Sequence, residues 1–287
     1  MRSGPPYPEI RQLQHRGQWL ALVVIAVVLV QVATSMTTNE RFHWDIVFSW
    51  FVSPRILKGL LNTLQLTIVS MVVGIVLGVV LAVMRGSANR VLGGVAWVYI
   101  WLFRGTPVFV QLLLWGSFSA LYPTIDVGLP FFQPLVSVSA NDVITPYMAA
   151  ILGLGLNEAA YMAEIVRGGI AAVDSGQEEA ARALGMPHLL VLQRIILPQA
   201  LRVVVPPTSN ELIGMLKTSS MVSVLAYPDL LYSAQLIYTD NYQVIPLLIT
   251  ASLWYLLVSS LLSVGQYALE RNLARSDRDR PEKGEDQ

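Results

Sequence analysis

Residues 59–84 pass through 26 positions without a charge, and that property limits the fold more than any motif. About 20 mostly apolar residues suffice for a helix to cross the hydrocarbon core of a bilayer. Five further runs meet the same condition. Residues 17–39 and 241–269 are charge-free, and 91–121 is apolar apart from Arg104. Residues 146–166 hold Glu158 and Glu164, and 201–226 hold Glu211 and Lys217. Lipid offers no water to satisfy an open sheet edge, so the spans are expected to be helical. The expected fold is an all-α integral membrane protein with six transmembrane helices. Composition agrees: 13% of residues are charged, against about 25% in soluble domains. Zero net charge gives no nucleic-acid footprint. The lack of cysteine excludes disulfides and thiolate metal sites.

Lysine and arginine placement orients the spans. With the N-terminus inside, the internal segments collect Arg2, Arg11, Arg16, Arg85, Arg90, Arg167, Arg182, Arg194, Arg202 and the five basic residues after Leu269. The external loops hold only Arg41, Arg55 and Lys58. Six spans return the C-terminus to the same side, so both termini are expected in the cytoplasm. A 17-residue polar leader is long for a signal peptide, which favours a retained anchor helix. The expected organisation is a leader over 1–17, an anchor helix and external interfacial segment over 18–56, a permease domain over 57–270 and a disordered tail over 271–287.

"EEAARALGMPHLLVLQRIILPQA", residues 178–200, breaks the apolar pattern on the cytoplasmic side. Ser175 to Glu178 fits a capping box. Gly185 is placed to end that helix at positive φ. Pro187 suits the first turn of a second helix, and Pro198 is expected to stop or kink it. Leu189, Leu192, Ile195 and Ile196 give the second helix an apolar face. The result is a helix–glycine–helix hairpin. Taken alone, it fits a passive amphipathic loop as well as a coupling device.

A resemblance favours the second. Glu179-Ala180-Ala181 precedes Gly185 by three intervening residues, and nine more separate Gly185 from Ile195-Ile196-Leu197-Pro198. With "GLLNTLQLTI" (59–68), "FRGTPVFVQL" (103–112), "YMAEIVRGGI" (161–170) and "LPQALR" (197–202), this closely resembles the EAA-motif permease subunits of type I ABC importers, in the polar amino-acid subfamily. The resemblance runs from about Leu57 to Leu269. It implies a five-helix core preceded here by one extra helix. It also implies that the 175–198 hairpin docks on a cytoplasmic ATPase through Glu179, Ala180, Ala181, Arg182, Gly185 and Pro198. Ala180 and Ala181 allow close approach, and Glu179 and Arg182 can pair with the partner. The implied partners are an ABC ATPase dimer, a second permease chain (identical or homologous), an extracytoplasmic amino-acid-binding protein, a polar amino-acid substrate and the lipid bilayer of the bacterial inner membrane. The chain has no GxxxxGK[ST] phosphate loop. No cofactor, metal or catalytic residue is expected in it; ATP and magnesium belong to the partner ATPase.

Ionisable groups inside spans point to function. Asn157, Tyr161, Glu164 and Gly168 recur on one helical face, and Asn210, Gly214, Lys217 and Met221 repeat that spacing. Facing each other across an aqueous cavity, the two stripes would suit a zwitterion. The substrate-pathway candidates are Asn157, Glu158, Tyr161, Glu164, Asn210, Glu211 and Lys217. Pairing of Glu158 or Glu164 with Lys217 or Arg167 as structural glue stands beside that reading. Arg104 followed by Gly105-Thr106-Pro107 favours a break in the third span over an intact kinked span with Arg104 pointing into the dimer interior. Residues 122–145 form an outward loop suited to a binding protein, and "FHWDIVFSWF" (42–51) suits the membrane interface. An ion-coupled secondary transporter using the buried Glu and Lys, or a non-transporting scaffold, are the alternatives. No repeat links 57–120 with 146–269, which weighs against the first.

Overall fold

The computed structural model describes residues 16–128 and 134–278, with side chains over 18–128 and 134–273. Most of the leader and positions 279–287 of the expected disordered tail lie outside the described residues. Contacts divide the chain into two units, 1–45 and 46–287. In the first, α1 (Arg16–Thr38) presents an apolar surface with no buried residue across its span. A 3₁₀ turn (Glu40–Phe42) follows, and the Trp44 indole N–H donates to Met36 O at 2.8 Å.

The second unit begins within α2 (Trp44–Phe51) and continues through α3 (Pro54–Arg85), α4 (Arg90–Gly105), α5 (Val108–Gly116) and α6 (Phe118–Leu121). A hairpin of β1 (Thr124–Val127) and β2 (Val136–Ser139), then α7 (Ala140–Val143), occupies what the sequence presents as an irregular loop. The chain goes on through α8 (Pro146–Ala171), α9 (Ser175–Ala183), α10 (His188–Val191), a π turn (Leu192–Ile196), α11 (Leu197–Thr218) and a 3₁₀ segment (Ser219–Leu225). It closes with α12 (Leu230–Asn241) and α13 (Val244–Arg278). Among the described residues five helical stretches are long and apolar enough to span a bilayer, and α4 with α5 makes a sixth if that bent pair is one span.

Asp229 caps the 12-residue α12, accepting from the Tyr232 N–H at 2.8 Å. Two expectations need correction. Residues 271–278 are helical as the end of α13, so no disordered tail begins at 271. Pro198 does not stop the helix. The stretch His188–Leu225 runs as one apolar span of 38 residues. A proline removes one N–H and crowds the carbonyl four residues back. Here the turn widens instead: the Leu197 N–H donates to Leu192 O, five residues earlier, and the Gln199 side-chain amide donates to Ile195 O at 2.9 Å.

The core lies where α3 packs on α8. Gly74 and Gly78 form a GxxxG pair on α3, and a Cβ at either would land on the side chains of Glu158 or Met162 of α8. Small residues let backbones approach closely where lipid supplies no hydrophobic drive between helices. A second node joins α3, α12 and α13: the Leu230 N–H donates to Thr63 Oγ1 at 2.9 Å, and Tyr255 OH donates to the buried Asp229 at 3.4 Å. Burial pushes the Asp229 carboxyl up to about 6, against the lowering effect of its backbone donors.

Candidate functional site

The predicted break at Gly105–Pro107 is present: α4 and α5 meet at 99°. Pro107 and the extended Thr106 permit the corner, but a buried glutamine holds it. Gln111 donates through Nε2 to Phe103 O at 3.0 Å and to Thr106 Oγ1 at 2.8 Å. Asn157 of α8 donates to the same Phe103 carbonyl at 2.8 Å and to Gln111 Oε1 at 3.4 Å. The corner exposes helix-end carbonyls at membrane depth, where unsatisfied backbone groups cost several kcal/mol. The two amides satisfy them. Sequence reasoning missed Gln111; its one signal was a lone amide within "VFVQLLL".

Beside this elbow, α8 and α11 enclose a cavity of about 200 Å³ that includes Asn157, Glu158, Tyr161, Glu211, Gly214 and Thr218. Glu158 is 5% exposed, and its buried Oε1 has no hydrogen-bond partner among the described residues. Neither Glu158 nor Glu211 forms a salt bridge among the described residues. Of the α8 stripe, Asn157 and Tyr161 line this cavity while Glu164 and Gly168 do not, and the α11 stripe is turned. Asn210 accepts from Gln266 of α13 at 3.0 Å, and Lys217 is exposed and absent from the cavity wall. The face that meets the cavity is Glu211, Gly214, Met215 and Thr218, one residue out of phase with the predicted one.

A larger pocket of about 810 Å³ adjoins it, with Arg85, Arg104, Arg167 and Glu164 together with Trp97 and Trp101. Glu164 pairs with Arg167 at 2.7 Å, and Lys217 pairs with neither glutamate. Tyr161 lies on the walls of both cavities, and the Arg104 guanidinium sits over its ring, 5.2 Å from the centroid.

The hairpin begins at Asp174, whose carboxylate accepts from the Gly176 N–H at 2.6 Å; Asp174, not Ser175, is therefore the cap. Gly185 has φ +74°, with Gly185 N–H donating to Arg182 O at 2.9 Å and Met186 N–H to Ala181 O at 3.1 Å. This is a Schellman closure. Ala181 is buried against Val191 and Ile196, so its small size serves the hairpin's own core and not a partner's approach. Arg182 is held by Glu178 on the same helix, while Glu179 and Ala180 are exposed. Leu184 and Leu189, either side of the turn, are 83% and 64% exposed. The second arm is the start of the long α10–α11 span, so the turn connects directly to the cavity-lining helix.

A bent span, a polar cavity between helices and an exposed helical hairpin fused to a cavity helix together define a membrane transport component. The family model for binding-protein-dependent transport system inner membrane components matches residues 74–275, and the chain belongs to that family. It is 46% identical, over 95% of its length and 85% of the relative's, to the arginine transport system permease protein ArgU of Corynebacterium glutamicum. It is 35% identical, over 84% of its length and 95% of the relative's, to the L-cystine transport system permease protein TcyB of Bacillus subtilis. The solved structure of an amino acid ABC transporter with histidines shares 35% identity and a TM-score of 0.65, covering 76% of this chain and 94% of that one.

Proposed function

We infer that this permease subunit of an amino-acid ABC importer carries a cationic amino acid. The observation behind this is the two carboxyl groups, Glu158 and Glu211, around one small cavity, neither in a salt bridge among the described residues. A buried carboxyl oxygen without a donor is expensive, and a substrate guanidinium or ammonium supplies the donor this cavity lacks. The ArgU relative supports the same class. Asn157 positions the elbow, Tyr161 walls the cavity, and Glu158 and Glu211 meet the cation. Glu164 is engaged with Arg167, Asn210 with Gln266, and Lys217 lies off the wall, so these three are set aside as substrate contacts.

In this reading the chain crosses the bacterial inner membrane several times with both termini in the cytoplasm. Two permease chains, this one and an identical or homologous copy, enclose the pathway. An extracytoplasmic binding protein delivers the amino acid. The chain itself hydrolyses nothing; ATP and magnesium act on a paired cytoplasmic ATPase. That ATPase receives the hairpin through the exposed Glu179, Ala180, Leu184 and Leu189. Gly185 fixes the turn and Arg182 braces α9, while Pro198 and the π turn join the hairpin to α11. ATPase closure then moves α11 against α8 and alternates access to the cavity.

The test is ATP-driven uptake by the complete transporter in proteoliposomes, with labelled arginine competed by lysine, cystine and glutamine. Lysine should compete and the neutral amino acids should not. Glu158→Gln and Glu211→Gln should raise KM for arginine by about 10-fold or more, the scale of a hydrogen bond to a charged group. Uptake of glutamine or cystine untouched by excess arginine would overturn the cationic reading.

A further inference from the structure

We propose that Arg104 and Tyr161 form an inner gate that seals the acidic cavity from the arginine-lined vestibule. This rests on the functional reading above for the direction of transport, and adds a residue which that reading leaves without a role. Tyr161 is common to both cavities, so its ring stands on the boundary between them. Arg104 caps that ring from the vestibule side at 5.2 Å, within the range of a cation–π contact. Arg104 has no carboxylate partner within salt-bridge distance among the described residues; Glu164, the carboxylate of that pocket, is taken by Arg167. The guanidinium is therefore held by the ring and by the longer-range pull of Glu211 and Glu164, with no salt bridge to fix it.

Its anchorage makes the contact conditional. Arg104 is in the last turn of α4, directly before the elbow that Gln111 and Asn157 lock. Asn157 and Tyr161 lie four residues apart on α8, so the elbow and the ring share one helix face. Rotation of the Arg104 side chain off the ring, as α11 moves against α8, opens the contact while Asn157 keeps the elbow locked to α8. The charge order also fits. A cation in the cavity is drawn to Glu158 and Glu211 and repelled by Arg85, Arg104 and Arg167. The closed gate thus retains a cationic amino acid until the helices move, and the vestibule disfavours its return.

The experiment is ATP-independent release from proteoliposomes holding the complete transporter and preloaded with labelled arginine in one set and labelled glutamine in another. Arg104→Gln should release whichever amino acid the wild type carries about three- to thirtyfold faster, the range of a cation–π contact. Tyr161→Leu should do the same, the double variant should exceed neither single, and Arg104→Lys, which keeps a cation over the ring, should stay near the wild-type rate. If Arg104→Gln fails to assemble, Tyr161→Leu against Arg104→Lys carries the comparison. Wild-type release rates in the single variants, or fully additive effects in the double, would overturn the gate. Failure of the cationic reading shows separately, as ATP-driven uptake of glutamine in place of arginine, and leaves this comparison intact.

Discussion

Gly185 separates a backbone requirement from a contact requirement. At φ +74° it lies in the left-handed region, and no heavy atom stands within 4 Å of the position a Cβ would take. Substitution therefore costs nothing in overlap, and the whole penalty is conformational. A side chain in that region costs about 1–2 kcal/mol, less for asparagine and more for a β-branched residue. At 1.4 kcal/mol per factor of ten, the native turn loses about 5- to 30-fold of its weight against alternatives. The hairpin core of Ala181, Val191 and Ile196 opposes that loss, and the spans do not depend on it. Gly185→Asn should retain most ATP-driven uptake, Gly185→Ala should lose several-fold, and Gly185→Val should lose about an order of magnitude or more. All three should elute and melt in detergent like the wild type. Equal losses in the three variants would refute the argument, because the cost would then come from a side chain colliding with the partner. Full uptake by Gly185→Val would show that this turn transmits nothing.

Two further outcomes follow from the packing. The Asp229 carboxyl is raised above its unfolded value, so its contribution to stability is fully present below about pH 4 and fades as pH rises through about 6. Asp229→Asn keeps a helix-capping side chain and should flatten the pH dependence of the melting temperature between 5 and 7.5, gaining up to about 3 kcal/mol at the upper end; an unchanged slope would remove Asp229 as its source. Gln111→Leu removes the side-chain donor to Thr106 O and one of the two donors to the Phe103 carbonyl at the elbow, and should destabilise the detergent-solubilised protein by about 1–3 kcal/mol in thermal unfolding, whereas a wild-type melting curve would show that Asn157 alone holds the corner.

Much of this molecule was legible in its residues. Apolar run length sets the spans, since the bilayer fixes how many residues must be buried. Arg104-Gly105-Thr106-Pro107 announces the elbow, because a charge, a flexible residue and a missing donor in four positions cannot continue a helix at membrane depth. The positive φ of Gly185 follows from its place as the C′ glycine after a run of strong helix formers. Tertiary structure decided the rest. Pro198 looked like a stop because local chemistry shows only the lost N–H; the wider π turn and the Gln199 amide that absorb it are settled by the packing of the whole span. The α11 stripe was misplaced by one residue because Asn210, Glu211 and Lys217 are all polar, and period alone does not choose between neighbouring phases of a helix. Gln266 of α13 claims Asn210, and that leaves Glu211 to face α8. Ala181 and Gln111 carry the same lesson: a small residue and a lone amide acquire their roles only from what stands opposite them in space. One-dimensional pattern fixes which groups lipid will tolerate, and the contacts between helices fix which of them meet.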